Sequence, residues 1–288
     1  MCDDSANCRN SSVFNFATLD LTEPNAPKDL ILEVINSDNN IKIKWDSALD
    51  DAVNYNIYIS DTPNNFDFSA PNATTANNEY TDNTASTAKQ RYYVVRAEDA
   101  AGNEETNAYI VGKYDLELSI GYNLVALPLV PFSNDVDDVM HQDITYNPIS
   151  EVKKFDNSAQ EFKTNNWIVV AWNPLAFQEL NYGEGYFFKS KQNIDFTIVG
   201  TLPETAVLDI KQGMNLFGLA SLENKDIADV IVQSPADYNV TELGKRNADG
   251  RYNLATYYPS GWNNAFTLKT GIGYWLKANK DFSLTLNP

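Results

Sequence analysis

Few residues in this chain have the types and spacing that chemistry demands. His141 is the single histidine. A Ser-His-Asp or Cys-His site needs an imidazole held by a third group, and no such pattern surrounds His141, which reads as a solvated surface residue. Zinc takes several His or Cys ligands, which the chain's two cysteines, Cys2 and Cys8, and one distant histidine do not supply. The closeness of Cys2 and Cys8 suits a short-loop disulfide in an oxidising compartment, or two free thiols. Asp135, Asp137 and Asp138 offer oxygens to Ca2+, a hard cation. Asp226 and Asp229 partly repeat that spacing, which also suits the capping of a helix N-terminus. Asp46, Asp50 and Asp51 form a second acidic array. No cofactor or metal is expected: the recurrence of the spacing favours the cap, and Ca2+ has only these weak candidate ligands. Carboxylate pairs can hydrolyse glycosides, but 39 acidic residues make pairs unavoidable. Glu184, set between two glycines, is the acid best placed to reach a cleft. No phosphate-binding loop or dinucleotide fingerprint occurs.

Aromatic residues suggest binding more than catalysis. Tyr257-Tyr258-Pro259-Ser260-Gly261-Trp262 is a turn-rich cluster, and Trp167 and Trp172 flank a strand. Exposed rings at Trp167, Tyr257, Tyr258 and Trp262 would stack on sugars or prolines. The competing reading places Trp172 and Trp262, which match between two repeats, in the core. Trp167 has no clear match and is the better candidate for exposure.

The elements that must carry these residues are mostly strands. The 288-residue chain is long enough for two or three domains. Its formal charge of −18 gives a surface that repels nucleic acid and anionic lipid. No apolar run of about 18 residues occurs, so no segment is expected to enter a membrane. Asn10, Asn72 and Asn239 stand in Asn-x-Ser/Thr acceptor sequences, which fit a secreted protein. Ile41, Ile43 and Trp45 alternate with lysines as in a half-buried strand. Further strands are expected at 54–60, 91–97 and 105–111, separated by turn-rich segments, the pattern of a β-sandwich. Trp45 should fill its centre.

Residues 26–113 resemble a fibronectin type III domain. The entry Asn25-Ala-Pro-Lys-Asp-Leu30, the lone Trp45, the strand Tyr55-Asn-Ile-Tyr-Ile59 and the phrase Tyr93-Val-Val-Arg-Ala-Glu-Asp-Ala-Ala-Gly-Asn103 follow the family's order. Two departures stand out: Arg91 occupies the place of the usual tyrosine of the sixth strand, and the leucine expected before it is missing from residues 84–90. The E–F corner is therefore expected to be built differently. No Arg-Gly-Asp tripeptide is present. Residues 2–8 parallel 97–103, so residues 1–23 read as the last hairpin of a preceding Ig-like domain, as a flexible leader, or as a strand that links to a neighbour.

A repeat fills the second half. Gly121-Tyr-Asn-Leu-Val-Ala-Leu127 returns as Gly213-Met-Asn-Leu-Phe-Gly-Leu219. Gly183-Glu-Gly-Tyr-Phe-Phe-Lys189 returns as Gly271-Ile-Gly-Tyr-Trp-Leu-Lys277. Glu184 thus matches Ile272, so the shared frame does not require the acid. Each copy is expected to hold one short acidic helix, at 135–140 and 226–231, and the pair to share a core. The plan resembles tandem modules of large secreted bacterial and archaeal surface proteins.

The expected fold class is mainly β: a fibronectin III/Ig-like β-sandwich followed by a duplicated β-rich module with one short helix per repeat. The expected units are 1–23, 24–114, 115–206 and 207–288. These resemblances imply a non-enzymatic part of an extracellular, multidomain cell-surface protein: a stalk, an adhesin arm, or a building block of a surface layer or filament. They imply other surface proteins, glycans or further copies of itself as partners. The alternative is a carbohydrate- or protein-binding module appended to a secreted hydrolase.

Overall fold

The computed structural model describes residues 19–35, 40–47, 51–140, 147–168, 171–173, 175–233 and 239–288. Seven strands make the first unit: β1 (Lys28–Ile35), β2 (Asn40–Asp46), β3 (Ala52–Ser60), β4 (Ala73–Thr75), β5 (Glu79–Asp82), β6 (Gln90–Asp99) and β7 (Val111–Leu118). They form two sheets, β1-β2-β5 and β4-β3-β6-β7. Alternation along β2 buries Ile41, Ile43 and Trp45, while Lys42 and Lys44 pair with Glu79 and Glu33 at 2.7 Å on the other face. Trp45 packs edge-on to Tyr55 at 5.2 Å among Leu30, Leu32, Ile57, Tyr93 and Val95. Burying each such side chain stabilises the fold by about 1.5–3 kcal/mol. This strand order and core are those of a fibronectin type III-like sandwich.

The E–F corner uses residues of its own. Tyr93, fully buried, donates its hydroxyl to Asp82 Oδ2 at 2.9 Å. The other oxygen of Asp82 accepts the amide of Thr84 at 2.8 Å, starting the 3-10 turn Ala85–Thr87. Arg91 lies beside the same carboxylate, its Nε 3.9 Å from Asp82 Oδ2.

The strand expected at 105–111 is not formed. Glu105 and Asn107 turn inward and take the hydrogen bonds that a ladder would use. Glu105 Oε1 accepts the amide of Ala97 at 3.3 Å, and Asn107 Nδ2 donates to Val95 O at 2.9 Å. The last strand is β7, further along. Residues 1–18, and with them most of the expected N-terminal hairpin, lie outside the described residues; residues 19–23 carry no strand.

The first repeat copy contains β8 (Gly121–Ala126), β9 (Val130–Pro131), α1 (Val136–Met140), β10 (Ile149–Asp156), β11 (Glu161–Ile168), β12 (Ala171–Trp172), β13 (Gly185–Ser190) and β14 (Ile194–Thr201). The second contains β15 (Ala206–Ile210), β16 (Gly213–Gly218), β17 (Lys225–Asp226), α2 (Ile227–Val230), β18 (Val240–Arg246), β19 (Tyr252–Tyr258), β20 (Gly261–Asn263), β21 (Thr267–Leu268), β22 (Gly273–Ala278) and β23 (Phe282–Leu286). The main sheets have the same order, β12-β11-β10-β13-β8 and β20-β19-β18-β22-β16. The pair β15-β23 repeats the pairing of β7 with β14.

Strand β7 belongs to two units at once. Its residues Val111–Tyr114 pair with β6, and its whole length pairs with β14. One sheet, β4-β3-β6-β7-β14-β9, therefore runs from the sandwich into the first copy, and the boundary expected at 114/115 falls inside a strand. In this joint Lys113 is fully buried and its ammonium meets Asp115 Oδ2 at 2.7 Å. Asp115 Oδ1 accepts the hydroxyl of Thr197 at 2.6 Å.

Candidate functional site

The repeated phrases form a clasp between the copies. In the first phrase, the Asn side chain staples the turn before its own strand. Asn123 accepts the amide of Ser119 and donates to its carbonyl, at 3.0 and 2.8 Å. Asn215 does the same to Lys211 at 2.9 and 2.8 Å. In the closing phrase the tyrosine hydroxyl accepts a turn amide: Asn181 to Tyr186 at 2.6 Å, and Lys269 to Tyr274 at 2.7 Å.

Each glycine of that phrase has its own reason. Gly183 and Gly271 hold φ of 85° and 77°, a region costly for side-chain-bearing residues. Gly185 and Gly273 admit the other copy's backbone. A Cβ would stand 3.0 Å from Phe217 O at Gly185, and 2.6 Å from Val125 O at Gly273.

The contacts obey a pseudo-twofold rule. The amide of Ala126 donates to Gly271 O at 3.1 Å, and the amide of Gly218 to Gly183 O at 2.8 Å. Ala126 and Gly218 are equivalent because they pair with Gly185 and Gly273 in their own copies. Such self-complementary contact is what a twofold interface requires. Leu124 and Leu216, with Phe187 and Trp275, fill its apolar centre. The hairpin β10–β11 reaches across through Gln160, whose Nε2 donates to Met214 O at 2.9 Å. In return Arg246 donates to Tyr122 O at 2.7 Å.

The aromatic candidates divide by burial. Trp167 packs against the first copy's core and meets Trp172 edge-on at 5.5 Å. Tyr257 meets Trp262 in the same way at 5.2 Å. Trp167 therefore does have a structural match, Tyr257, hidden in sequence because the ring type changed. Tyr257 is buried, Trp262 packs on the second core, and Tyr258 alone of the four is open, at 49% exposure.

Asp135, Asp137 and Asp138 are exposed. Asp135 Oδ1 accepts the amide of Asp137 at 2.8 Å, so it caps α1. The matching residue Asp226 makes no side-chain cap bond to α2, because its carboxylate accepts from Thr267 Oγ1 at 3.2 Å. Among the described residues the carboxylates that do gather are Asp20, Asp51 and Asp99. Asp99 is already filled by the amides of Ala101 and Asn103 at 2.8 Å and by Asn103 Nδ2 at 2.7 Å. Those bonds, the Asn103 side chain first, hold its pKa below the usual range. Of the second array, Asp46 stands apart from this group and Asp50 lies outside the described residues.

His141, Cys2, Cys8 and Asn10 also lie outside the described residues. Asn72 is exposed, and its Oδ1 accepts the amide of Ile59 at 2.7 Å. Asn239 is half-buried, with its Oδ1 shut from solvent. No helix among the described residues is long and apolar enough to cross a membrane.

Glu184 does reach a cavity. Its Oε2 pairs with Lys154 at 2.7 Å and accepts the hydroxyl of Tyr186 at 2.6 Å. The cavity, about 460 Å³, opens between the copies and is also lined by Phe155, Asp156, Asn157, Lys163, Phe177 and, from the second copy, Leu216. Spacing gave no sign of Asp156, Asn157 or Lys163, since they meet Glu184 only through the fold. A different carboxylate pair, Glu98 and Glu104, sits on the sandwich with both acids bound to Asn56 Nδ2 at 2.6 Å.

No protein-family model matches the chain, and no curated protein matches it. Among solved structures, it is similar to a Fn3-like protein from Clostridium thermocellum, with 29% identity over 30% of this chain and 86% of that one, at a TM-score of 0.26. It is also similar to the FN1–FN3 domains of chicken CNTN1, with 10% identity over 93% of this chain and 100% of that one, at a TM-score of 0.20. The sandwich assignment rests on strand order and core rather than on these likenesses.

Proposed function

We propose that this chain is a non-enzymatic structural part of an extracellular, multidomain cell-surface protein, serving as a stalk, adhesin arm or building block of a surface layer or filament. The observation that carries this reading is strand β7, which pairs with both the sandwich and the first copy. Units joined by a flexible linker move relative to one another by default. A shared strand removes that freedom, and the clasp removes it again between the copies. Stiffness along a chain suits projection and spacing. The net charge of −18 favours solubility and disfavours nucleic-acid partners, and the exposed sequon at Asn72 fits an extracellular setting.

Light scattering with and without millimolar Ca2+, followed by electron microscopy, tests the proposal. Rods of a single length, or filaments built from them, support it. Turnover that maps to residues of this chain, or a freely jointed particle, overturns it. The cavity beside Glu184 favours a second reading, a carbohydrate-binding module.

A further inference from the structure

The geometry points to the cavity beside Glu184 as a binding site for a neutral sugar unit, a deepening that rests on the carbohydrate-binding reading. Its size, about 460 Å³, falls within the usual range for small-molecule sites. Its polar wall alternates charges. Lys154 meets Glu184 at 2.7 Å, and Lys163 meets Asp156 at 2.6 Å. The cations and carboxylates balance, so the site offers no net attraction to an ion. It offers donors and acceptors side by side, which suits hydroxyls that both donate and accept. Phe155 and Phe177 give an apolar wall for the C–H face of a sugar ring.

The duplication supplies an internal control. The second copy builds the same sheet, yet at the matching positions Phe155 becomes Arg246, Asp156 becomes Asn247, Lys163 becomes Asn253 and Glu184 becomes Ile272. The frame therefore stands without these groups. They belong to one copy, as expected of a site grafted on a shared fold.

The test uses the full chain on an array of neutral glycans, followed by calorimetric titration of the best hit. The variants are Glu184→Ile and Lys163→Asn, each installing the residue that the second copy carries. Val232→Thr, at an exposed residue outside the cavity, serves as the control. The proposal expects binding by the wild type, a loss of about tenfold or more in each cavity variant at a temperature where circular dichroism shows the variant folded, and no change in the control. Glycan binding that survives both cavity substitutions overturns the site while leaving the carbohydrate reading in place. No binding across the array overturns both. Selective binding of a charged sugar overturns the neutral class. None of these results bears on the stiffness of the arm.

Discussion

Ala126 and Gly218 hold the same position in the two copies and meet each other at the pseudo-twofold axis. A Cβ built on Gly218 would overlap the Cβ of Ala126, so the axis has room for one methyl group and not two. Placing Ala at Gly218 should destabilise the chain by about 1–3 kcal/mol, as overpacking does. Exchanging the pair, with Ala126→Gly added to Gly218→Ala, should recover most of that loss. A double-mutant cycle in urea checks this. Additive losses would mean that the two residues do not share the axis.

The stapling asparagines should be as important as apolar core residues. Asn215 is fully buried and bonds both the amide and the carbonyl of Lys211. Asn215→Ala leaves those backbone groups without partners, at about 1–3 kcal/mol. Asn123→Ala should cost a similar amount in the first copy. Thermal unfolding of each variant reads the effect, and an unchanged midpoint would refute the role assigned to the motif.

The buried ion pair in the joint gives a third test. Lys113→Met leaves Asp115 in a dry site, where burial already pushes its pKa up. Loss of one partner of such a pair typically costs about 3–5 kcal/mol. Adding Asp115→Leu removes the stranded charge and should restore part of the stability. Denaturant midpoints of the two variants decide the point; a double variant worse than the single one would contradict it.

The cavity predicts a pH dependence. The Lys163 ammonium, with the amides of Ala159 and Ser158, holds the Asp156 carboxyl down from 3.8 to about 2. A group with a lowered folded-state pKa stabilises the fold above its unfolded value and loses that contribution as pH falls through the folded one. The Asp156 contribution is thus complete above about pH 4 and disappears towards about pH 2. Carboxyl NMR should give a midpoint near 2, rising in Lys163→Asn. A wild-type midpoint at the ordinary value would dismiss the pair.

Much of the frame could be read from the chain because its determinants are local. Alternation marked β2, and the paired phrases marked β8, β13, β16 and β22. The failures share one cause, contacts between residues far apart in sequence. Glu105 and Asn107 look like strand residues until their side chains bond the backbone of β6. Trp167 has no match in the sequence pattern because Tyr257 performs the same packing with a different ring. The joint at β7 was hidden because its partner β14 lies about 80 residues on, a pairing that no local period reveals. The cavity was half visible: Glu184 stood out between its glycines, whereas Lys163 and Asn157 join it only when β10 and β11 fold back.

The sandwich and the two copies should move as one body. Spin labels on cysteines placed at Asp61 and Asp249, both exposed, with Cys2 and Cys8 replaced by Ser, measure it through the electron–electron distance distribution. A single narrow distribution, unchanged by dilution, is what a shared strand and a clasped pair predict. A broad distribution would show that the units swing about a hinge and would contradict the account.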